Sequence, residues 1–456
     1  MATATSPRGT TGSPSTSDVG AFRRWAMLAV GTLAQTASAI ALHGPAFLIP
    51  VLHTREGLPL ATAGLVSAAP MVGVVLTLVA WGVVVDRRGE RLALVTGLTV
   101  TAVAALGSAT AHGPVGWGAW LFVAGAAAAS ANAASGRIVV GWFPAGRRGL
   151  AMGIRQMAQP LGVAVAAVTM AVLAEQHGIR AALVVPAAAA ALACLAVGVV
   201  VRDPPRPART VETAGNPYRA DRTLVRIHGV SMLLVVPQFL VWSYALAWLV
   251  TDRGWSAVSA GTLVAATQVC GAVGRIAVGH LSDRVGSRMR PLRWVAVAVV
   301  VTMGLLGAAA HEEWGVAVLL LVVASTVTVA DNGLAFTAVA ERAGPFWSGR
   351  ALGVQNTGQF LTAAAVPPLA GALVSWTGYA VTFASASLFA LVALPLVPVR
   401  DEHATPPGPD TPPGMANPHS PSAMSWRRAS RITGRVVSPE DRSGKQPVPE
   451  APAGDG

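Results

Sequence analysis

Charge is the scarcest commodity in this sequence. Asp, Glu, Lys and Arg make up 12% of the 456 residues, against about 25% in a soluble domain. Lysine is almost absent: Lys445 is the single one, so arginine carries the net charge of +12. Only two cysteines occur, Cys194 and Cys270, both inside apolar runs, which excludes a disulfide framework or a cysteine-built metal centre. The chain lacks a Gly-xxxx-Gly-Lys-Ser/Thr phosphate loop, a His-Glu-xx-His metal pair and a Gly-x-Ser-x-Gly elbow. ATP-driven work, metal chemistry and hydrolysis are therefore not expected, nor is a cofactor or any enzymatic activity. Residues 1–20 have no apolar core and the first apolar run is too long for a signal h-region, so no cleavable signal peptide is expected.

What fills the chain is hydrocarbon, at 53% hydrophobic residues. Apolar segments lie at roughly 22–52, 61–85, 92–112, 115–141, 149–174, 180–201, 228–251, 258–281, 291–310, 314–340, 350–374 and 378–399. Each has about 20 residues or more, enough for a helix to cross about 30 Å of lipid. Strands left unpaired in lipid would strand their backbone groups, so the fold class expected is an all-α membrane protein of twelve transmembrane helices. The arginines sit in short loops and tails, which points to a bilayer rather than nucleic acid as partner. Most loop arginines fall on one side, while the other side holds only Arg55, Arg180 and Arg253. The positive-inside rule then puts both termini in the cytoplasm. The organisation expected is a disordered N-terminal tail over 1–21, a six-helix bundle over 22–201, and a Pro-rich cytoplasmic linker over 202–227. A second six-helix bundle over 228–399 and a disordered tail over 400–456 complete it.

The two halves carry the same words. Gly82-Val-Val-Val-Asp86-Arg87-Arg88-Gly89-Glu90-Arg91 returns 197 residues later as Gly279-His-Leu-Ser-Asp283-Arg284-Val-Gly286-Ser-Arg288. Gly149-Leu-Ala-Met-Gly153-Ile-Arg155-Gln156-Met-Ala-Gln159 aligns, at an offset of 200, with Gly349-Arg-Ala-Leu-Gly353-Val-Gln355-Asn356-Thr-Gly-Gln359. Asn132 aligns with Asn332 at that offset. A duplicated bundle needs the same helix-to-helix turn twice, so the halves are expected to be related by an axis along the membrane normal.

At these residues the chain resembles the major facilitator superfamily. Gly82-xxx-Asp86-Arg87-x-Gly89-x-Arg91 is similar to that family's loop signature between helices two and three, and Gly279-xxx-Asp283-Arg284-x-Gly286-x-Arg288 to its second copy between helices eight and nine. Position 90 is Glu where the family pattern usually has a basic residue. The resemblance covers about 22–399. It implies two six-helix bundles around a central cavity, with alternating access. The signature reads as a gate: glycines allow close approach, and Asp86 and Asp283 face basic groups across the halves, with Arg350 and Arg148 as candidate partners. A solvated basic turn that only sets topology is the alternative.

Polar side chains inside apolar spans are costly and invite a functional reading. Arg155, Gln156 and Gln159 in span five, and Gln355, Asn356 and Gln359 in span eleven, form one candidate substrate site, since guanidinium and amides suit a carboxylate or another small oxyanion. An Arg155 that snorkels while the amides tie helices together is the alternative. Gly274-Arg275-xxx-Gly279 resembles the helix-eight region of monocarboxylate and oxalate:formate carriers, which implies anion binding by Arg275, with Gln268 two turns earlier. Arg137 reads as an interface arginine. Asp331 is the only acidic residue deep in a span; it is either a proton carrier or a fixed partner for an arginine. His43 is a second candidate for proton coupling. Gln159-Pro160-Leu161-Gly162 partly matches a signature of drug:proton antiporters. The expected function is a secondary transporter of a bacterial inner membrane, monomeric, taking up a small organic or inorganic anion with protons. Proton-coupled efflux of a drug-like compound is the alternative.

Overall fold

The computed structural model describes residues 20–205 and 215–400, all within one compact unit. The expected terminal tails fall almost wholly outside these residues, as does the middle of the linker.

The described residues are helical, with no strand among them. The first crossing is α1 (Ala21–His43), a short 3-10 turn over Gly44–Leu48 and α2 (Ile49–Thr54). Then come α3 (Leu60–Arg88), α4 (Glu90–Thr110) and α5 (Gly113–Trp142). The fifth crossing is split into α6 (Ala145–Gln156) and α7 (Ala158–His177), and α8 (Ile179–Val200) ends the first half. After a short α9 (Pro217–Ala220) the second half runs through α10 (Thr223–Thr251), α11 (Ala257–Val285) and α12 (Met289–His311). Its tenth crossing is again split, into α13 (Val316–Val327) and α14 (Asp331–Ala343). The last helix, α15 (Ser348–Leu396), has 49 residues, about twice the length that hydrocarbon needs, and Gly378 at φ 79° bends it into two crossings. Twelve crossings therefore result among the described residues. Helix α10 begins at Thr223, five residues before the expected boundary.

The split in the fifth crossing has a local cause. Pro160 has no N–H, so it cannot donate to the carbonyl of Gln156 one turn back, and the helix turns at Met157. That freed carbonyl becomes an acceptor inside the protein.

Two seams join the halves, α3 against the start of α15 and α11 against α6. Both rest on glycines facing glycines. A β-carbon added to Gly82 would collide with the backbone oxygen of Gly349, and one on Gly349 with the oxygen of Gly82. Gly279 and Gly149 block each other in the same reciprocal way. One turn on, Gly353 lies against Leu78 and Gly153 against Arg275 backbone. With no strong hydrophobic drive between helices in lipid, such backbone proximity is what gives dispersion its reach.

Candidate functional site

Each seam is locked at the face that carries the linker. Asp86 is buried and accepts from the backbone amides of Gly349 (2.8 Å) and Arg350 (3.0 Å), which belong to the first turn of α15. These amides have no partner within their own helix, and the carboxylate faces the positive end of the helix dipole. Arg350 Nε adds an ion pair at 2.8 Å, and its guanidinium lies 3.6 Å over the Trp347 ring. Asp283 repeats the arrangement near the start of α6, accepting from Gly149 (2.9 Å) and Leu150 (2.8 Å). Its cation is Arg288 of its own loop, at 2.6 Å. Arg148, expected opposite Asp283, instead pairs with Glu341 at 3.2 Å, because Glu341 lies between it and Arg288.

Arg137 is corrected from an interface residue to a buried one. It is 4% exposed and bridges Asp86 (2.9 Å) and Glu90 (2.9 Å). Glu90 is fully buried. The acid that departs from the family pattern at 90 and the arginine in α5 therefore form one unit, since two buried carboxylates in one loop require a cation. Arg91 acts within its own half: its amide donates to Asp203 (2.8 Å) and its side chain to the Gly198 carbonyl. Gly89, at φ 102°, abuts the same Asp203. Arg87 and Arg284 are exposed, outside both aspartate clusters, and Gly286 makes its turn at φ 67°. A second clasp on this face joins Asp221 to Arg342. Burial would raise the Asp221 carboxyl, but the Thr223 amide and the Arg342 guanidinium hold it below the usual carboxylate range.

Between the halves lies a cavity of about 40 Å³. Its polar wall includes Gln156, Gln159, Arg275, Asn356 and Gln359, joined by Gln238 and Asn332; Phe239, Phe336 and Phe360 form the apolar wall. Gln238 accepts from Asn332 at 3.0 Å, and Gln359 donates to Asn332 at 3.0 Å. The first half mirrors this with Gln35 donating to Asn132 at 2.9 Å. Gln35 and Gln238 lie 203 residues apart, outside the offsets of 197 and 200 that the repeat shows, so the sequence carries no direct signal for Gln35.

Arg275 is 5% exposed and docks on the two places where helices break. Nη1 donates to the Gln156 carbonyl (2.8 Å) that Pro160 leaves unserved, and Nε to the Val329 carbonyl (3.3 Å) in the gap between α13 and α14. Guanidinium has five N–H donors, so several remain for the cavity. Asp331 opens α14 beside it, 1% exposed, and neither carboxylate oxygen makes a hydrogen bond among the described residues. Its electrostatic company is Arg275 and the amides of Asp331 and Asn332.

Three expected substrate residues lie elsewhere. Arg155 does not line the cavity. Its Nε donates to Ser135 (2.9 Å), other donors reach the Asn132 carbonyl (3.2 Å), Gln35 and Gln156, and it stands 5.5 Å from the Phe336 ring centroid. A guanidinium so fully occupied is a strut. Gln355 is tied to His228 and Ser231 inside the second half. Gln268 faces a separate apolar crevice. His43 reaches the site indirectly, through a 3.3 Å hydrogen bond with Gln159.

The sequence pattern of the Major Facilitator Superfamily matches residues 31–367. A Mycobacterium tuberculosis (strain H37Rv) protein described as the uncharacterized MFS-type transporter Rv2994 is 46% identical over 395 residues, covering 86% of this chain and 88% of that one. Among solved structures, the Escherichia coli fucose:proton symporter FucP superposes with a TM-score of 0.67 at 16% identity, over 83% of this chain and 98% of that chain. The proton:xylose symporter XylE superposes with a TM-score of 0.68 at 16% identity, over 82% of this chain and 95% of that chain. The chain is a multi-pass membrane transporter fold built on two halves. It belongs to the Major Facilitator Superfamily.

Proposed function

We propose that this chain takes up a small anion together with a proton across a bacterial inner membrane, with both termini cytoplasmic. The observation that carries the reading is Arg275, a buried cation with spare donors in the cavity and no carboxylate within ion-pair distance among the described residues. Asp331, the unpartnered carboxylate beside it, supplies the coupling. An ionised Asp331 competes with the substrate for Arg275. A proton arriving from outside neutralises Asp331 and frees Arg275 for the anion. Two guanidinium charges (Arg155, Arg275) and one carboxylate leave a single net positive charge in the empty centre. Binding one proton and one monovalent anion leaves that charge unchanged, so the loaded centre crosses without a new buried charge. His43 acts on Gln159 and holds the cavity wall rather than carrying the proton. The aspartate clusters favour the state closed on the linker face and must break for release to the cytoplasm.

The symporters that share this fold are compatible with proton coupling, and the arginine-rich linker face supports the orientation. Efflux of a lipophilic compound remains a second reading because an apolar crevice adjoins the cavity. The test is uptake of radiolabelled carboxylates by proteoliposomes under an imposed pH gradient, acidic outside. Accumulation that collapses in Arg275→Gln supports the reading. Undiminished accumulation in that variant, or accumulation driven only by the opposite gradient, refutes it.

A further inference from the structure

A second space adjoins the polar cavity. It lies between α7, α10 and α11, holds about 550 Å³, and is open to lipid past Leu161 (53% exposed) and Val269 (66% exposed). Apart from Gln159 and Gln268 its wall is hydrocarbon and the ring of Trp242. Gln159 belongs to the walls of both spaces, so the two abut at one amide.

We infer that the two spaces are one binding site for an amphiphilic carboxylate: the carboxylate sits at Arg275 and its alkyl tail lies in the crevice. The inference rests on the anion reading above and names its substrate class. Size is the first reason. A cavity of about 40 Å³ has room for a few waters, which is the room a head group needs. More than ten times that space lies next to it and is apolar, so the bulk of a ligand that fills both is hydrocarbon. Charge is the second. A cation with spare donors at one end and an uncharged wall at the other match a free carboxylate with a tail attached.

Asymmetry is the third reason. At the position related by the repeat, Phe360 enters the other seam and packs on Leu42, Val74 and Leu78. Pro160 stands in its place here and leaves the space empty. Rocking of the halves would open both seams alike. A crevice on one seam only comes from residue choice.

The test uses the full chain in nanodiscs, with tritiated acetate, butanoate and octanoate as ligands. Val269→Trp and Leu161→Trp fill the crevice from opposite walls, and both positions face lipid, so a fault in folding at one leaves the other to decide. Each fold is checked by its thermal transition. Octanoate binding is expected to weaken about tenfold or more in each tryptophan variant while acetate is unchanged, because burial of each methylene is worth roughly fourfold in affinity. Arg275→Gln is expected to remove all three. A photoreactive octanoate should label α7 and α11. Octanoate binding untouched by both tryptophans but lost in Arg275→Gln overturns the crevice and leaves the anion reading standing. Binding of all three carboxylates intact in Arg275→Gln overturns the anion reading itself, and with it the head-group half of this site. Labelling of the crevice by photoreactive phosphatidylglycerol that octanoate does not displace makes it a lipid site and overturns the inference.

Discussion

The two seams are nearly the same at the linker face and different at mid-membrane. Below, each has a reciprocal glycine pair and an aspartate that accepts from two backbone amides of the facing helix. Above, one is plugged by Phe360 and the other opens at Pro160. Under the proposed function, the shared part closes and reopens the halves, and the divergent part accommodates the ligand. Even within the shared part the charge differs: Asp86 has two arginines and a buried Glu90 beside it, while Asp283 has Arg288 and a half-buried Glu341 behind.

Disrupting the glycine pairs tests the shared part with the largest effect. Gly82→Val and Gly279→Val each force backbones apart at a collision that no side chain can relieve. Both should lower proteoliposome transport about a hundredfold, in equal measure. Unequal losses would mean that one seam alone carries the motion.

The aspartates come next. Asp86→Asn removes one carboxylate from a buried cluster, and breaking such a cluster costs about 3–5 kcal/mol. Asp283→Asn breaks a single ion pair, with Arg288, which Glu341 continues to balance, at about 1.5–3 kcal/mol. Thermal unfolding in nanodiscs should rank them in that order, and adding Glu90→Gln to Asp86→Asn should deepen the loss, because Arg137 then keeps no carboxylate partner.

The smallest effect is at the linker. Asp221 ionises more readily in the fold than in the unfolded chain, so its clasp with Arg342 is fully present above the ordinary carboxylate range, near pH 4, and fades as pH falls through its lowered value. The pair is partly exposed, so Asp221→Asn should cost no more than about 1 kcal/mol at neutral pH. The difference should vanish in acid, read as converging melting temperatures.

Much of this was legible in the sequence, because hydropathy and the doubled loop are local signals. The twelve spans, the helix-to-helix turns at Gly89 and Gly286, and the facing of Asp86 with Arg350 all follow from repeat and spacing. What escaped depends on rotation about helix axes. Arg155 and Gln355 occupy equivalent positions, and both turn into their own bundle, tied to Ser135 and to His228. Gln268 turns to the crevice although it lies two turns from Arg275. Arg137 lies about a turn from a span end, which suggests exposure, whereas the buried acid at position 90 demands a cation. Pro160 is visible in the sequence, but its gift of the Gln156 carbonyl to Arg275 needs both halves in place.

The proposed role of Asp331 is to couple a proton to an anion held at Arg275. It is tested most directly by comparing two fluxes in Asp331→Asn proteoliposomes: exchange of labelled for unlabelled carboxylate at equal pH, and net accumulation under a pH gradient. Loss of gradient-driven accumulation with exchange retained is the predicted result. Accumulation that still follows the gradient in this variant would contradict the account.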